Sequence, residues 1–302
     1  MSDGFPSITV VTPSLNKGAF IAQTIESVRD QAYPAVEHII VDGGSTDTTR
    51  EIVAPYLSLP HLRWLSEPDA GQSDAINKGV RLAKGEIVGW LNADDYYYPG
   101  ALAAIGAAFR RYPDAGLVYG AGAKVDTAGH VVKEIPFRPV DRRRLRTVFY
   151  ILQPSMFLRR DLFKAVGGVT TSTYYAMDWE LALKIAQSVP IYSIPDKVAA
   201  LRFYPDTKSS QAGWARMREI AQLGRSFNGR LDANYVSFRL REALARCGPR
   251  TRSCADWLMH RVFGAENYMV QGWPDRGNRG SAGGARSRGP GAGDEAGARP
   301  RR

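Results

Sequence analysis

Glu86-Ile-Val-Gly-Trp-Leu-Asn-Ala-Asp94-Asp95 is the stretch on which the reading of this chain turns. The apolar run Ile87 to Leu91 reads as a strand buried in a sheet, and it stops at two adjacent carboxylates. Tyr96-Tyr97-Tyr98 follows, and Pro99-Gly100 opens a helical pattern. Acids released at the carboxyl end of a core strand lie where open α/β sheets bind their ligands. Such a pair suits a hard divalent cation held against a phosphate, because Mg²⁺ and Mn²⁺ favour oxygen ligands. A polar turn ahead of Pro99 would use the same two residues, so the rest of the chain must decide.

Upstream, strand and helix alternate. Ile8 to Thr12 is a β-branched strand ended by Pro13, and Ile21, Ile25 and Val28 then recur at helical spacing. Val36 to Val41 is a second strand, ending on Asp42-Gly-Gly-Ser-Thr-Asp47, where Ser45 or Thr46 can cap a helix running to about Leu57. Leu62 to Leu65 is a third strand. A helix over about 73–83 follows, burying Ile76, Val80 and Ala83 and leaving Asp74, Lys78 and Arg81 on its polar side. Four alternations in the first hundred residues imply a parallel, right-handed, doubly wound sheet. Its strand ends carry Thr12-Pro13, Asp42 and Asn92 to Asp95 to one edge, a convergence that packing alone does not explain.

Downstream the pattern loosens. A helix over about 101–112 leads to strands at Leu117 to Tyr119 and Val131 to Ile135, with a hairpin turn at Asp126 to Gly129. Arg142 to Arg146 reads as a solvated basic face, Gln153 to Arg160 as loop and strand, and Gly167-Gly168 as a turn. A helix starting near Asp178 buries Leu181 and Ile185, and short strands follow at Ile191 to Ile194 and Val198 to Phe203. Helices are expected at about 212–226, 232–246 and 252–264. The organisation is thus an α/β domain over 1–210, a helical extension over 211–271 and a disordered Gly/Arg-rich tail over 272–302.

Of the net charge of +10, that tail supplies +4, leaving a body whose +6 suits an anionic substrate or an anionic membrane surface. The tail has one aromatic residue, Trp273, so nucleic-acid binding through it is not expected. Cys247 and Cys254 read as free thiols, and the four histidines show no metal-ligand grouping. The N-terminus lacks the basic and apolar regions of a signal peptide and no run of about 18 apolar residues occurs, so the expected location is cytoplasmic. Peripheral contact with the inner face of the membrane stays open. No G-x-x-x-x-G-K-[ST], no G-x-G-x-x-G after the first strand and no G-x-S-x-G is present, which removes P-loop, dinucleotide and serine-hydrolase chemistry.

Thr9-Val-Val-Thr-Pro-Ser-Leu-Asn16, Ile40-Val-Asp-Gly-Gly-Ser-Thr-Asp47, Ser66-Glu-Pro-Asp-Ala-Gly-Gln-Ser-Asp-Ala-Ile-Asn-Lys-Gly79, Gly89-Trp-Leu-Asn-Ala-Asp-Asp95, Gln153-Pro-Ser-Met-Phe-Leu-Arg-Arg160 and Ala176-Met-Asp-Trp-Glu-Leu181 stand in one order over roughly 7–210. Together they resemble the family 2 inverting glycosyltransferases of GT-A fold, and more closely the bacterial branch that builds surface polysaccharides. The resemblance implies a Rossmann-like, mostly parallel sheet and transfer of a sugar from a nucleotide-diphosphate donor, UDP-linked by expectation. The acceptor would be a saccharide or lipid-linked saccharide of the cell envelope.

The resemblance also implies roles. Asp178 is the expected base, and Asp95 with Asp94 the expected ligands of Mn²⁺ or Mg²⁺. Thr12, Pro13, Asn16, Asp42, Asp74, Lys78, Asn92, Asp94, Arg202 and Lys208 are expected on the nucleotide or its diphosphate, and Gln153 and Trp179 on the acceptor. The sequence departs from the family at Asn92, often an acid, at Met177, where Glu is commoner before the base, and at Tyr204, where relatives place a His. These departures leave a second expectation standing, a catalytically silent module of the same fold that binds sugar nucleotides or glycans. The chemistry has its own logic. A sugar hydroxyl is a poor nucleophile until a base takes its proton, and a departing diphosphate needs its charge neutralised.

Overall fold

The computed structural model describes residues 4–211 and 213–228. The first half alternates as expected: β1 (Ile8–Ser14), α1 (Gly18–Arg29), β2 (Val36–Asp42), α2 (Thr49–Val53), β3 (Leu62–Ser66), α3 (Gln72–Leu82) and β4 (Ile87–Trp90). β1 pairs in parallel with β2 on one side and β4 on the other, and β2 pairs in parallel with β3. The second half contributes β5 (Tyr96–Tyr97), α4 (Ala101–Arg111), β6 (Leu117–Val125), β7 (Val131–Ile135), α5 (Arg142–Leu145), β8 (Met156–Arg159), α6 (Arg160–Ala165), α7 (Met177–Ser188), β9 (Ile191–Arg202), α8 (Lys208–Gln211) and α9 (Gly213–Asn228). Among the described residues these strands form one sheet in the order β3-β2-β1-β4-β8-β6-β9-β5, with β7 on β6. β8 runs antiparallel to both β4 and β6, so the sheet is mixed.

β1 is buried along its whole length because both faces are covered. On one face Ile8 and Val10 join Ile87, Leu91, Leu102, Ile105 and Phe109 in one apolar cluster. On the other, Val11 meets α3 at Gly79, where an added Cβ would lie 2.3 Å from Val11 Cγ1. Ile21 and Ile25 of α1 pack with Ile40, Val53 and Leu62.

Three local expectations are corrected. Neither Ser45 nor Thr46 caps α2; Asp47 Oδ1 accepts from Thr49 N at 3.0 Å, while Ser45 Oγ donates to Asp42. α2 gives way at Ala54 to a 3₁₀ turn over Ala54–Ser58, where Pro55 brings no N–H to an α-helical ladder. The two short strands expected at 191–194 and 198–203 are one, β9, whose register against β6 jumps from Ser193 to Lys197. Pro195, which cannot donate to a ladder, falls inside that irregularity.

β6 runs on through Gly120-Ala-Gly122, past the three residues expected, because β9 lies too close for larger side chains. A Cβ at Gly122 would sit 2.1 Å from the Ala199 carbonyl oxygen and 2.3 Å from Leu152 Cδ2. Gly122→Ala is therefore expected to cost about 2–3 kcal/mol, read as a lowered urea midpoint. The α9 helix matches the one expected at 212–226. The helices expected at 232–246 and 252–264, Cys247, Cys254, His260 and the tail over 272–302 lie outside the described residues. Among the described residues no helix is long and apolar enough to cross a membrane.

Candidate active site

The carboxyl ends of β1 and β4 open into a cavity of about 330 Å³, walled also by the start of α7 and by Leu201, Arg202, Thr207, Lys208 and Arg216. β1 delivers Pro13 and Ser14, and the loop after it Leu15 and Lys17. β4 delivers Asn92 to Asp95, the α3 N-terminus Gly71 and Gln72, and α7 Met177 and Asp178. Tyr174, Tyr175, Arg202, Lys208 and Arg216 complete the wall. The expected metal-side acids and the expected base thus face one space from two different elements.

The acidic pair is not symmetric. Asp94 is partly buried, and its Oδ2 accepts from Lys17 Nζ at 2.8 Å and from the Tyr204 hydroxyl at 2.8 Å. Lys17 Nζ also donates to the Tyr204 hydroxyl at 2.7 Å. Burial alone would depress Lys17, but the Asp94 charge and the hydrogen bonds to Asp94 and Tyr204 outweigh it and hold the ammonium above its ordinary pKa. Asp95 is 2% exposed, and its oxygens accept from Arg202 N at 2.8 Å and Asn92 Nδ2 at 3.0 Å. Burial first, and the Asp94 charge second, still push its carboxyl well above the usual range.

Asn92 explains its own departure from the family pattern. A third acid here would add charge beside Asp95, whereas the amide donates to Asp95 and also to Gln153 Oε1 at 3.1 Å. Asn92 Oδ1 accepts from Gln72 Nε2 at 2.7 Å, and Gln72 Oε1 accepts from Lys208 Nζ at 2.8 Å. A chain of amides therefore runs from Asp95 to Lys208. Lys208 lies 3.6 Å from the centroid of the Tyr174 ring, and burial drives its pKa down to about 8 against the pull of Asp178 and Glu219.

Asp178, half-buried in the second position of α7, has its carboxyl raised by burial. The hydrogen bond from Trp179 N, 2.8 Å to Oδ1, and the charges of Arg216 and Lys208 work the other way without cancelling the rise.

Other expected residues stand elsewhere. Arg202, assigned to the diphosphate, lines the cavity with a side chain already committed to the protein. Nε donates to Asp94 O at 2.9 Å, Nη1 to Asp126 O and Thr127 O at 2.9 Å each, and Nη2 to Gln23 Oε1. Trp179, expected on the acceptor, is 1% exposed and donates Nε1 to Leu145 O at 2.7 Å, because one further step around α7 turns it into the core. Gln153 stays on the cavity wall but is braced between Asn92 and Trp90 O. Thr12 is buried with Oγ1 2.8 Å from His38 Nε2, away from the cavity. Burial drives His38 down to about 3, so its ring is neutral.

Asp42 is also buried, and its carboxylate accepts from Gly44 N, Ser45 N, Ser45 Oγ and Ser66 Oγ, which makes it the hub of its loop. Asn16 bridges to that loop, its Oδ1 accepting from Thr46 N at 2.8 Å. Asp74 and Lys78 pair with each other at 3.3 Å outside the cavity wall, and Lys78 also reaches Glu67.

A sequence model of glycosyl transferase family 2 matches residues 9–167, more than half of the chain. The chain belongs to glycosyl transferase family 2. It is 31% identical over 186 residues to a PGL/p-HBAD biosynthesis glycosyltransferase of Mycobacterium tuberculosis, covering 59% of this chain and 69% of that one. It is 28% identical over 191 residues to chondroitin synthase of Escherichia coli, covering 63% of this chain but 28% of that protein. Two solved structures share the GT-A architecture. TarS of S. aureus superposes with a TM-score of 0.57 at 22% identity, over 76% of this chain and 68% of that one. The mannosyltransferase PcManGT of Pyrobaculum calidifontis, in complex with GDP-Man and Mn²⁺, gives 0.60 at 19% identity, over 89% and 86%.

Lys17, Gln72, Tyr174, Tyr175 and Arg216 are among the residues of this glycosyltransferase's cavity that the sequence did not single out. Lys17 had a signal, being the one cation in the Ser14-Leu-Asn-Lys-Gly18 loop that leaves β1. Gln72 also had one, at the first position of α3 in a quoted motif. Tyr174, Tyr175 and Arg216 had none, since only the return of the chain after β9 brings α9 against the α7 start.

Proposed function

We propose that this glycosyltransferase moves a sugar from a nucleotide-diphosphate donor, UDP-linked by preference, to a hydroxyl of a saccharide or lipid-linked saccharide in cell-envelope polysaccharide assembly, with inversion. The observation that carries the reading is the shared cavity, which both Asp94 and Asp178 line, with Asp178 made more basic by burial. A base of raised pKa takes an acceptor proton more readily than an ordinary carboxylate, and one base facing the donor is what a single displacement needs. A nucleotide-diphosphate donor is supported by TarS, solved with UDP and with UDP-GlcNAc, and by PcManGT with GDP-Man; the UDP preference follows TarS. The envelope setting rests on the sequence resemblance to the bacterial surface-polysaccharide branch. Contact with the inner face of the membrane belongs to the same proposal.

A divalent cation fits the residues present. Burial first and the Asp94 charge second raise the Asp95 carboxyl, a cost that a bound cation would offset, and Asp94 already takes a cation, the Lys17 ammonium, on Oδ2. Among the described residues no three acidic, His or Cys side chains group as a metal site, so diphosphate and water oxygens would fill the remaining positions. Asp94 and Asp95 would hold Mn²⁺ or Mg²⁺, which when bound supplies Lewis-acid neutralisation of the leaving diphosphate. Lys17, on the same wall, adds a fixed positive charge, and Gln72 with Asn92 keeps the acid wall and the Lys208 wall in register.

Calorimetric titration with UDP, GDP and dTDP, with and without Mn²⁺, tests the site in the wild type and in Asp94→Asn. One nucleotide is expected to bind more tightly with Mn²⁺ by about tenfold or more, roughly 1.4 kcal/mol, with that gain lost in the variant. Equal affinity without the cation would remove the metal. Absence of binding for all three would remove the nucleotide donor.

A further inference from the structure

We infer that Glu219 of α9, beyond the stretch matched to the family, is a positioning residue for the base: its carboxylate holds the loop from which α7 and Asp178 start. The inference rests on the reading of Asp178 as base. Glu219 Oε1 accepts from Tyr174 N at 2.8 Å, and Oε2 accepts from Tyr175 N at 2.6 Å and Ala176 N at 3.1 Å. Three consecutive amides thus converge on one carboxylate, the concave arrangement that successive N–H groups offer an anion.

The local sequence makes this necessary. The residue before α7 is Ala176, which has no side-chain acceptor, and α7 carries no side-chain N-cap. The amides of the loop ahead of it, 174–176, take their acceptor from a residue 43 to 45 positions downstream. On the other side of the same loop, Thr173 Oγ1 donates to Glu180 Oε2 at 2.9 Å, so residues 173–176 are fixed from two directions. Tyr174 and Tyr175 line the cavity, Tyr174 packs on the Lys208 ammonium, and Asp178 lies two residues beyond Ala176. Loss of Glu219 leaves three amides without their acceptor, and the loop must move to find water. A shift of about 1 Å at a reacting group is enough to cost on the order of a hundredfold in rate.

The test compares wild type, Glu219→Gln and Glu219→Ala as full chains. UDP with Mn²⁺ is titrated calorimetrically, release of UDP from UDP-N-acetylglucosamine is followed for turnover, and hydrogen exchange is followed at amides 174–176. The expected result for Glu219→Ala is kcat down by at least about tenfold, UDP affinity within about twofold, and faster exchange at 174–176. Glu219→Gln keeps one acceptor oxygen and is expected to recover part of kcat, which a role confined to folding would not give. Unchanged kcat in Glu219→Ala, or equal losses of kcat and UDP affinity, would overturn the inference. A wild type that binds no UDP and turns over no donor would instead overturn the functional reading, and unchanged exchange at 174–176 would then still overturn the tie.

Discussion

Replacing Asp178 with Asn is expected to lower turnover by a factor on the order of 10³ while nucleoside-diphosphate affinity stays within about twofold. The amide keeps the acceptor for Trp179 N but cannot take a proton, so the geometry of α7 survives and the chemistry does not. Initial rates of diphosphate release, with calorimetry on the same samples, separate the two. The raised Asp178 carboxyl also fixes the pH behaviour. In the wild type the acid limb of kcat lies above the ordinary carboxylate value of about 3.9, because burial holds the proton on.

The stability effect has the opposite sign. A carboxyl whose pKa rises on folding binds its proton more tightly in the native state. Ionising it costs nothing below the unfolded-state pKa, and the cost is complete above the folded-state pKa. Between those two values stability falls as pH rises. Asp178→Asn removes that cost, so at pH 7 the inactive variant should melt no lower than the wild type. Full activity in Asp178→Asn would show that another group takes the proton.

The second large effect is on stability. Arg202→Lys is expected to cost about 3 kcal/mol, within the range for removing one side of a buried polar network. At 4% exposure the guanidinium serves three backbone carbonyls and Gln23 through a planar fork, and an ammonium cannot reach all four. Asp94 O is one of those carbonyls and Arg202 N donates to Asp95, so Arg202 fastens the end of β9 to the acidic pair. A drop of about 6–12 °C in melting temperature follows from that cost for a domain of this size. UDP affinity of the folded protein should change little. Unchanged melting with lost UDP affinity would return Arg202 to the diphosphate.

What the sequence showed, and what it hid, follows from the range of the interactions. The first four strands were readable because each is rich in apolar or β-branched residues and runs into a polar segment with Pro or Gly. β1 nevertheless continues through Pro13 to Ser14 rather than ending at the proline. The parallel order required all their carboxyl ends to meet. That placed Asp94, Asp95 and Asn92 correctly beside one another. Asp178 came through a motif; it lines the same cavity, and its role is a proposal.

Strand β6 was underread because Gly120 and Gly122 lower strand propensity where β9 comes close, a constraint set by a partner some 75 residues away. Trp179 failed for a geometric reason, since neighbours on a helix differ by about 100° and the residue after a cavity-facing Asp faces the core. Arg202 does line the cavity, but its charge gave no sign that three backbone carbonyls and Gln23 also hold its guanidinium. Glu219 had no signal at all. Nothing in the sequence of α9 says that its carboxylate meets three amides ahead of α7.

The central claim, inverting transfer from a nucleotide sugar with one base, is tested most directly by proton NMR of the first product. The enzyme, with Mn²⁺, is given α-linked UDP- and GDP-sugars with water as acceptor, and the anomeric signal is recorded before mutarotation. The account predicts nucleoside-diphosphate release with the β-anomer appearing first, and its loss in Asp178→Asn. An α-anomer appearing first would contradict a single displacement, and no release from any of these donors would contradict the transfer itself.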